Sequence, residues 1–274
     1  MDVLGVTLAV EEEGVGPPVL FVHGMGLDQR MWRPQVAPVV ASGRRAITYD
    51  LRGHGRSGVP ASGYRVTDFA DESLGLLDVL GIDRVDLVGL SLGGSVVARL
   101  AVRQPERVRS VTIIGSMASG YPGLSEFIRG GGTSALMAGG TMDLATFRRQ
   151  RLGSFLYAPT LEHPEAGPLA RQVLLEALQT PAVLAETTAE RIAGWPSPTD
   201  WDLWISPGRQ VPALVLAGSL DDPTFQGFTR DSAGRPRTST FIVEGSAHLA
   251  NMSHAAIVNE MLLEHLDAAA SAQP

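Results

Sequence analysis

A serine between glycines stands where an apolar run gives way to a helical one. Residues 85–88, VDLV, read as a strand; Gly89-Leu90-Ser91-Leu92-Gly93 follows, and a helical pattern begins at once. A strand-to-helix corner of this kind can hold a serine hydroxyl up for attack. It needs small neighbours because the adjoining backbones pass close together. The helix that follows directs its N-terminal N–H groups toward any negative charge developing beside Ser91. A tight turn that merely contains a serine would carry the same letters, so the partners of Ser91 must decide.

A serine hydroxyl needs a base. The chain has six histidines, and position must choose among His23, His54, His163, His248, His254 and His265. His248 lies just after the last apolar strand pattern and before the last helical one, where a loop at a strand's carboxyl end can reach Ser91. His254 and His265 fall on that helix, the latter on a solvated or half-buried face, and His163 sits in a proline-containing stretch. The base in turn needs an acid to fix its tautomer and stabilise the imidazolium. Asp221 and Asp222 follow the strand pattern VLAG, which makes the chain order Ser, Asp, His. Asp221 is preferred; Asp222, with Pro223 after it, could instead cap the next turn. The loop after residues 108–114 offers Gly115-Ser116-Met117 and no carboxylate.

Acyl transfer also requires donors for an oxyanion. Phe21-Val22-His23-Gly24-Met25-Gly26 leaves a strand and turns on glycines, so the Met25 N–H could pair with that of Leu92. His23 reads there as a residue bracing the loop. Gly53-His54-Gly55-Arg56-Ser57-Gly58 has the spacing of a dinucleotide fingerprint, but it neither follows its strand directly nor opens a helix. It reads as a structural loop braced by Asp50 and Arg52. No spacing suits a metal site, and no cofactor is expected.

These groups need rigid elements beneath them. Strand patterns occur at 4–10, 18–22, 45–49, 85–88, 108–114, 213–217 and 240–243, and helical patterns at 66–80, 93–102, 169–179, 183–192 and 254–269. Several of the strand runs are near-continuously apolar, as strands buried on both faces are. The alternation predicts an α/β class with a mostly parallel, doubly wound sheet. The rhythm breaks between about residues 117 and 206, which are glycine-rich, proline-containing and mainly helical in pattern. The expected organisation is a core of 1–116 and 207–274 with a helical cap of 117–206 over the sheet's carboxyl edge. Trp32, Phe127, Met137, Phe147 and Trp195 are the candidates for lining a substrate pocket beneath it.

Composition narrows the chemistry. The 274 residues are 44% hydrophobic and 19% charged, with a net charge of -7; such a balance suits a globular domain and disfavours nucleic acid or an anionic membrane as partner. The sequence contains neither cysteine nor lysine. Disulfides, thiolate nucleophiles, lysine Schiff bases and a serine–lysine dyad are thereby excluded. The N-terminus lacks the basic and apolar stretches of a signal peptide, and no apolar run reaches membrane-spanning length, so a cytoplasmic location is expected.

Together HGMGLDQRMW, DLRGHGRS, GLSLGG, the Gly218-to-Asp221 spacing and GSAHLANM resemble the α/β-hydrolase superfamily, within it the lactonase, esterase and non-haem haloperoxidase-like branch that includes 3-oxoadipate enol-lactonases. The resemblance implies an α/β-hydrolase fold with Ser91 as nucleophile, His248 as base, Asp221 as acid, and the N–H groups of Met25 and Leu92 as oxyanion hole. It implies a small-molecule carboxylic ester or lactone as substrate. A non-hydrolytic cyclase, lyase or transferase on the same fold is the alternative, and a binding protein that has kept the fold is a third. The chain departs from the family after Asp222, where TFQGFTRDSAGRPRT stands in place of a clear helix.

Overall fold

The computed structural model describes residues 1–123, 153, 157–177, 198–208 and 210–272. A two-residue hairpin, β1 (Asp2–Val3) and β2 (Val6–Thr7), precedes β3 (Val10–Glu13), β4 (Pro18–Val22) and β5 (Arg45–Tyr49). The later strands are β6 (Val85–Leu90), β7 (Val108–Ile114), β8 (Ala213–Gly218) and β9 (Thr238–Val243). From β3 onward they form one seven-stranded sheet in the order β3-β5-β4-β6-β7-β8-β9. Only β3 runs antiparallel; every other neighbouring pair is parallel. Val22 pairs with both Tyr49 and Gly89, which brings the carboxyl ends of β4, β5 and β6 level. The chain steps from β4 to β5 on one side and resumes at β6 on the other. That reversal leaves a crevice above β4 and β6, where ligands bind in open α/β sheets.

Helices cover the sheet. They are α1 (Arg33–Ala41), α2 (Val66–Val79), α3 (Leu92–Arg103), α4 (Ala158–Glu162), α5 (Gly167–Ala177), α6 (Pro198–Trp204), α7 (Pro223–Asp231), α8 (Ala250–Ser253) and α9 (Ala255–Ser271). Strands β6 and β8 are buried at every residue, which accounts for the apolar run of β8 and for that of β6, broken only by Asp86, which accepts from Ser110 at 2.7 Å, and by Gly89. In α3 the apolar residues Val96, Val97, Leu100 and Ala101 recur at helical spacing and are all buried.

Two local expectations are corrected, and one helix that the sequence reading did not include is found. Residues 4–10 are not one strand: Leu4 (φ 51°) and Gly5 (φ 79°) turn the chain, and β1 and β2 pair across them. The proline-bearing stretch at 33–41 is helical although its pattern hid it. Pro38 has no N–H to give the carbonyl of Pro34, and Asn259 Nδ2 of α9 donates to that carbonyl instead at 2.8 Å. The segment after Asp222 does form a helix, α7. Asp222 caps it by accepting from the Thr224 N–H at 2.8 Å, Pro223 occupies the first turn, and Phe225 and Phe228 are buried.

Among the described residues no strand lies between Ile114 and Ala213, and the elements there are α4, α5 and α6. Helix α6 is tied to α3: the buried carboxylate of Asp200 accepts from Arg99 and Arg103, each at 2.8 Å. The helix expected at 183–192 lies outside the described residues.

Candidate active site

The corner at Ser91 is strained. Its φ of 54° and ψ of -119° are a conformation that non-glycine residues adopt rarely and at a cost of roughly 1–3 kcal/mol. Contacts on every side hold it there. The Ser91 N–H donates to Ile114 O at 3.0 Å, and its carbonyl accepts from the Ser95 N–H at 3.1 Å and from the Ser116 hydroxyl. The flanking glycines are spatial necessities. A Cβ on Gly89 would stand 2.3 Å from Gly93 O, and one on Gly93 would stand 2.0 Å from Val22 O. Helix α3 thus starts directly against the end of β4, and Ser91 is left partly exposed.

The turn after β4 reaches the same corner. Leu27 N–H donates to Gly24 O at 3.2 Å, closing a turn over Gly24–Leu27, and Gly26 takes φ 70°. A Cβ on Gly24 would come within 3.2 Å of Ser91 Cβ. Met25 and Leu92 are buried on either side of this contact. His23 braces the turn from beneath: its Nε2 accepts from the Leu51 N–H at 2.9 Å and its Nδ1 donates to Gly24 O at 2.8 Å. Both ring nitrogens are thereby occupied.

The acid and base candidates meet. His248 Nδ1 lies 3.0 Å and 3.1 Å from the two Asp221 carboxylate oxygens, and both side chains are buried. A carboxylate accepts only, so Nδ1 carries the proton and Nε2 keeps its lone pair. The carboxylate is itself held by the Asp222 N–H at 2.8 Å. Asp222 spends its own side chain on capping α7, which separates the roles of these neighbours. The two loops touch closely: Leu220 N–H donates to Ser246 O at 2.8 Å, and a Cβ on Gly218 would lie 2.2 Å from that oxygen. Phe225 packs a tilted ring 5.0 Å from the imidazole.

Two residues of this site escape sequence reasoning. Gly115, at φ 53°, sits so near the pair that a Cβ would come 3.0 Å from Asp221 Oδ2 and 3.1 Å from His248 Nδ1. Ser116 grips the Ser91 carbonyl, and Ser95 Oγ lies 3.3 Å from its hydroxyl. In the sequence Gly115-Ser116 shows only that a carboxylate is missing; their smallness is the signal, readable once β7 is known to lie beside β6.

The remaining candidates fall elsewhere. Trp32 is fully buried in the core, its ring 5.2 Å from Phe21. Phe127, Met137, Phe147 and Trp195 lie outside the described residues. The loop Gly53–Gly58 closes on itself through Gly53 N–H to Gly58 O at 2.7 Å. Asp50 fills its centre, accepting from the N–H groups of Gln29 and Arg56, each at 2.9 Å. Burial pushes the Asp50 carboxyl above the usual range, while His23 and the two N–H groups pull it back. Arg52 pairs with buried Glu72 at 2.7 Å. His163 and His254 face each other 5.7 Å apart; burial, then His163, lowers the pKa of His254. Burial lowers that of His265 to about 4, against a hydrogen bond with the Val111 backbone. Among the described residues no cluster of three or more metal-binding side chains exists, and no helix is long and apolar enough to cross a membrane.

Comparison with known proteins bears on the fold and the family. The model of the alpha/beta hydrolase fold family matches residues 17–255. A 2-hydroxymuconate semialdehyde hydrolase of Pseudomonas sp. (strain CF600) is 37% identical over 121 residues, which span 43% of either chain. A 3-oxoadipate enol-lactonase of Acinetobacter baylyi is 28% identical over 264 residues, 90% of this chain and 88% of the relative. Among solved structures, a thermophilic esterase from Thermogutta terrifontis superposes with a TM-score of 0.71 at 28% identity, covering 96% of this chain and 93% of the esterase.

Proposed function

The chain belongs to the alpha/beta hydrolase fold family, and we propose that it is a serine hydrolase that cleaves a small-molecule carboxylic ester or lactone through an acyl-enzyme on Ser91. The observation that carries this reading is the buried pair in which Asp221 holds the His248 Nδ1 proton and leaves the Nε2 lone pair to act as a base; the strained corner that carries Ser91 supports it. The enol-lactonase and esterase likenesses support the substrate class.

In this mechanism His248 Nε2 takes the Ser91 hydroxyl proton as Oγ attacks the carbonyl carbon. The imidazolium that forms is stabilised by the Asp221 carboxylate. The N–H groups of Met25 and Leu92 receive the oxyanion, the latter helped by the N-terminus of α3. Collapse of the tetrahedral intermediate breaks the bond to the alkoxy oxygen, which leaves with the proton from His248. Water then repeats the sequence: His248 accepts its proton, hydroxide adds to the acyl carbon, and Ser91 is released reprotonated. Residues 117–206 are the cap in this reading, with Phe127, Met137, Phe147 and Trp195 its pocket candidates.

A fluorophosphonate probe tests the claim. It is expected to form one stoichiometric adduct on Ser91, and Ser91→Ala is expected to abolish both labelling and hydrolysis of p-nitrophenyl acetate. A folded protein that fails to label at Ser91 would sink the mechanism. Turnover of its own substrate by Ser91→Ala would point to non-hydrolytic chemistry instead.

A further inference from the structure

The turn that carries Met25 is held from the far side of the chain. Tyr157, immediately before α4, donates its hydroxyl to the Met25 carbonyl at 3.2 Å, and the pair is buried. The two residues are 132 positions apart. This is a contact between the insert after β7 and the turn after β4.

The contact falls on a peptide that can flip. Gly24–Leu27 is a four-residue turn closed by Leu27 N–H to Gly24 O, with Gly26 at φ 70° and Met25 not among the residues of positive φ. Those signs define a type II turn. Types I and II differ by rotation of the central peptide, here the one joining Met25 to Gly26. The Met25 carbonyl belongs to that peptide, and the Tyr157 hydroxyl is bonded to it. His23 fixes the preceding carbonyl, that of Gly24. The two bonds grip consecutive peptides on both sides of Met25.

We propose that Tyr157 is a positioning residue: the Met25 N–H belongs to the Gly24–Met25 peptide that His23 holds, and the Tyr157 hydroxyl fixes the Met25–Gly26 peptide on the other side of the same Cα, so that Met25 is clamped from both sides and its N–H keeps its direction. It couples the seating of the insert to the readiness of the oxyanion site. The inference rests on the serine hydrolase reading given above, in which the Met25 N–H receives the oxyanion. Tyr157 touches the turn and not the reacting atoms, so its effect is confined to the tetrahedral state. Binding of the planar ester is spared.

The test is Tyr157→Phe, which removes one oxygen and keeps the ring. A neutral hydrogen bond of this kind is worth roughly three- to tenfold. Tyr157→Phe is expected to lower kcat on p-nitrophenyl acetate by about that factor with KM nearly unchanged. Inhibition by phenylboronic acid, which becomes tetrahedral on the serine, is expected to weaken by the same factor. A purely structural role would lower Tm and leave the ratio of boronate affinity to KM where it was; that result overturns the proposal, as does an unchanged kcat. Wild-type labelling by fluorophosphonate separates the two readings. If wild type labels at Ser91 and Tyr157→Phe matches it in kcat and boronate affinity, the positioning role alone fails. If wild type does not label, the hydrolase reading fails with it.

Discussion

Replacing Asp221 by Asn changes one atom's chemistry and almost none of its shape. The consequence can be worked from three distances. Asp221 Oδ1 accepts from the Asp222 N–H at 2.8 Å and from His248 Nδ1 at 3.0 Å, while Oδ2 lies 3.1 Å from the same Nδ1. An asparagine can keep the Asp222 bond only with its carbonyl oxygen in the Oδ1 place. Its amide NH2 then occupies the Oδ2 place and faces Nδ1. The NH2 repels an N–H at Nδ1 3.1 Å away and the negative charge is lost, which tips the imidazole toward carrying its proton on Nε2 and accepting at Nδ1, although an oxygen still stands 3.0 Å from that nitrogen. The lone pair that should take the Ser91 proton is gone. A trapped tautomer of this kind costs about 10⁴-fold in kcat, or about 5 kcal/mol in the barrier. The assay is kcat on p-nitrophenyl acetate, alongside far-ultraviolet circular dichroism and a thermal melt to show that the fold persists. Asp222→Asn is the control; it can still accept from Thr224 and is expected to keep most activity. A folded Asp221→Asn protein that retains a tenth of the wild-type kcat would refute the reasoning.

Two further outcomes concern stability. His265 titrates near 4 in the fold and near 6.5 when unfolded, so the unfolded chain binds the proton first as the pH falls. The stabilisation is fully present above 6.5 and is lost on descent toward 4, a difference of about 3 kcal/mol; urea midpoints measured between pH 7 and pH 4.5 should slope less steeply in His265→Leu than in wild type, and parallel slopes would remove His265 as the cause. Gly93→Ala puts a Cβ 2.0 Å from Val22 O, and because backbone must move to admit it, a loss of about 2 kcal/mol or more is expected. Gly208 is an open position without a positive φ, where an added Cβ would meet only Ser206 Oγ at 3.7 Å; a thermal melt in which Gly93→Ala is no less stable than Gly208→Ala would contradict the close approach of α3 to β4.

What the sequence discloses depends on whether a residue's role is set by its own backbone or by a neighbour distant in the chain. The buried strands were legible because β6 and β8 are apolar at nearly every position, a pattern that needs no partner to be recognised. The Ser91 corner was legible because a strand that turns sharply into a helix needs glycine on both sides, and Gly89 and Gly93 stand there. Helix α1 was hidden because Pro38 contradicts helical propensity locally, and the compensation comes from Asn259, more than two hundred residues on. Helix α7 was hidden because Gly227 lowers its local propensity, while its apolar face, Phe225 and Phe228, is short.

The same distinction divides the candidate site. Ser91, Asp221 and His248 could be picked out because each sits at a strand's end and their order along the chain is informative. The choice of Asp221 over Asp222 could be preferred from spacing, but it is geometry that gives the two carboxylates different partners, one to an imidazole and one to a helix N-terminus. Gly115, Ser116 and Tyr157 carry no chemistry in their own right. Gly115 matters because the His248 and Asp221 side chains need its missing Cβ, Ser116 because β7 lies beside β6, and Tyr157 because the insert folds back onto the turn after β4. A reactive group announces itself by residue type, whereas a supporting group is defined by what it touches. Substitutions that disable the protein without removing Ser91, Asp221 or His248 should therefore concentrate at small and hydrogen-bonding residues such as Gly115 and Ser116 just after β7 and Tyr157 before α4, where sequence reading alone assigns them nothing to do.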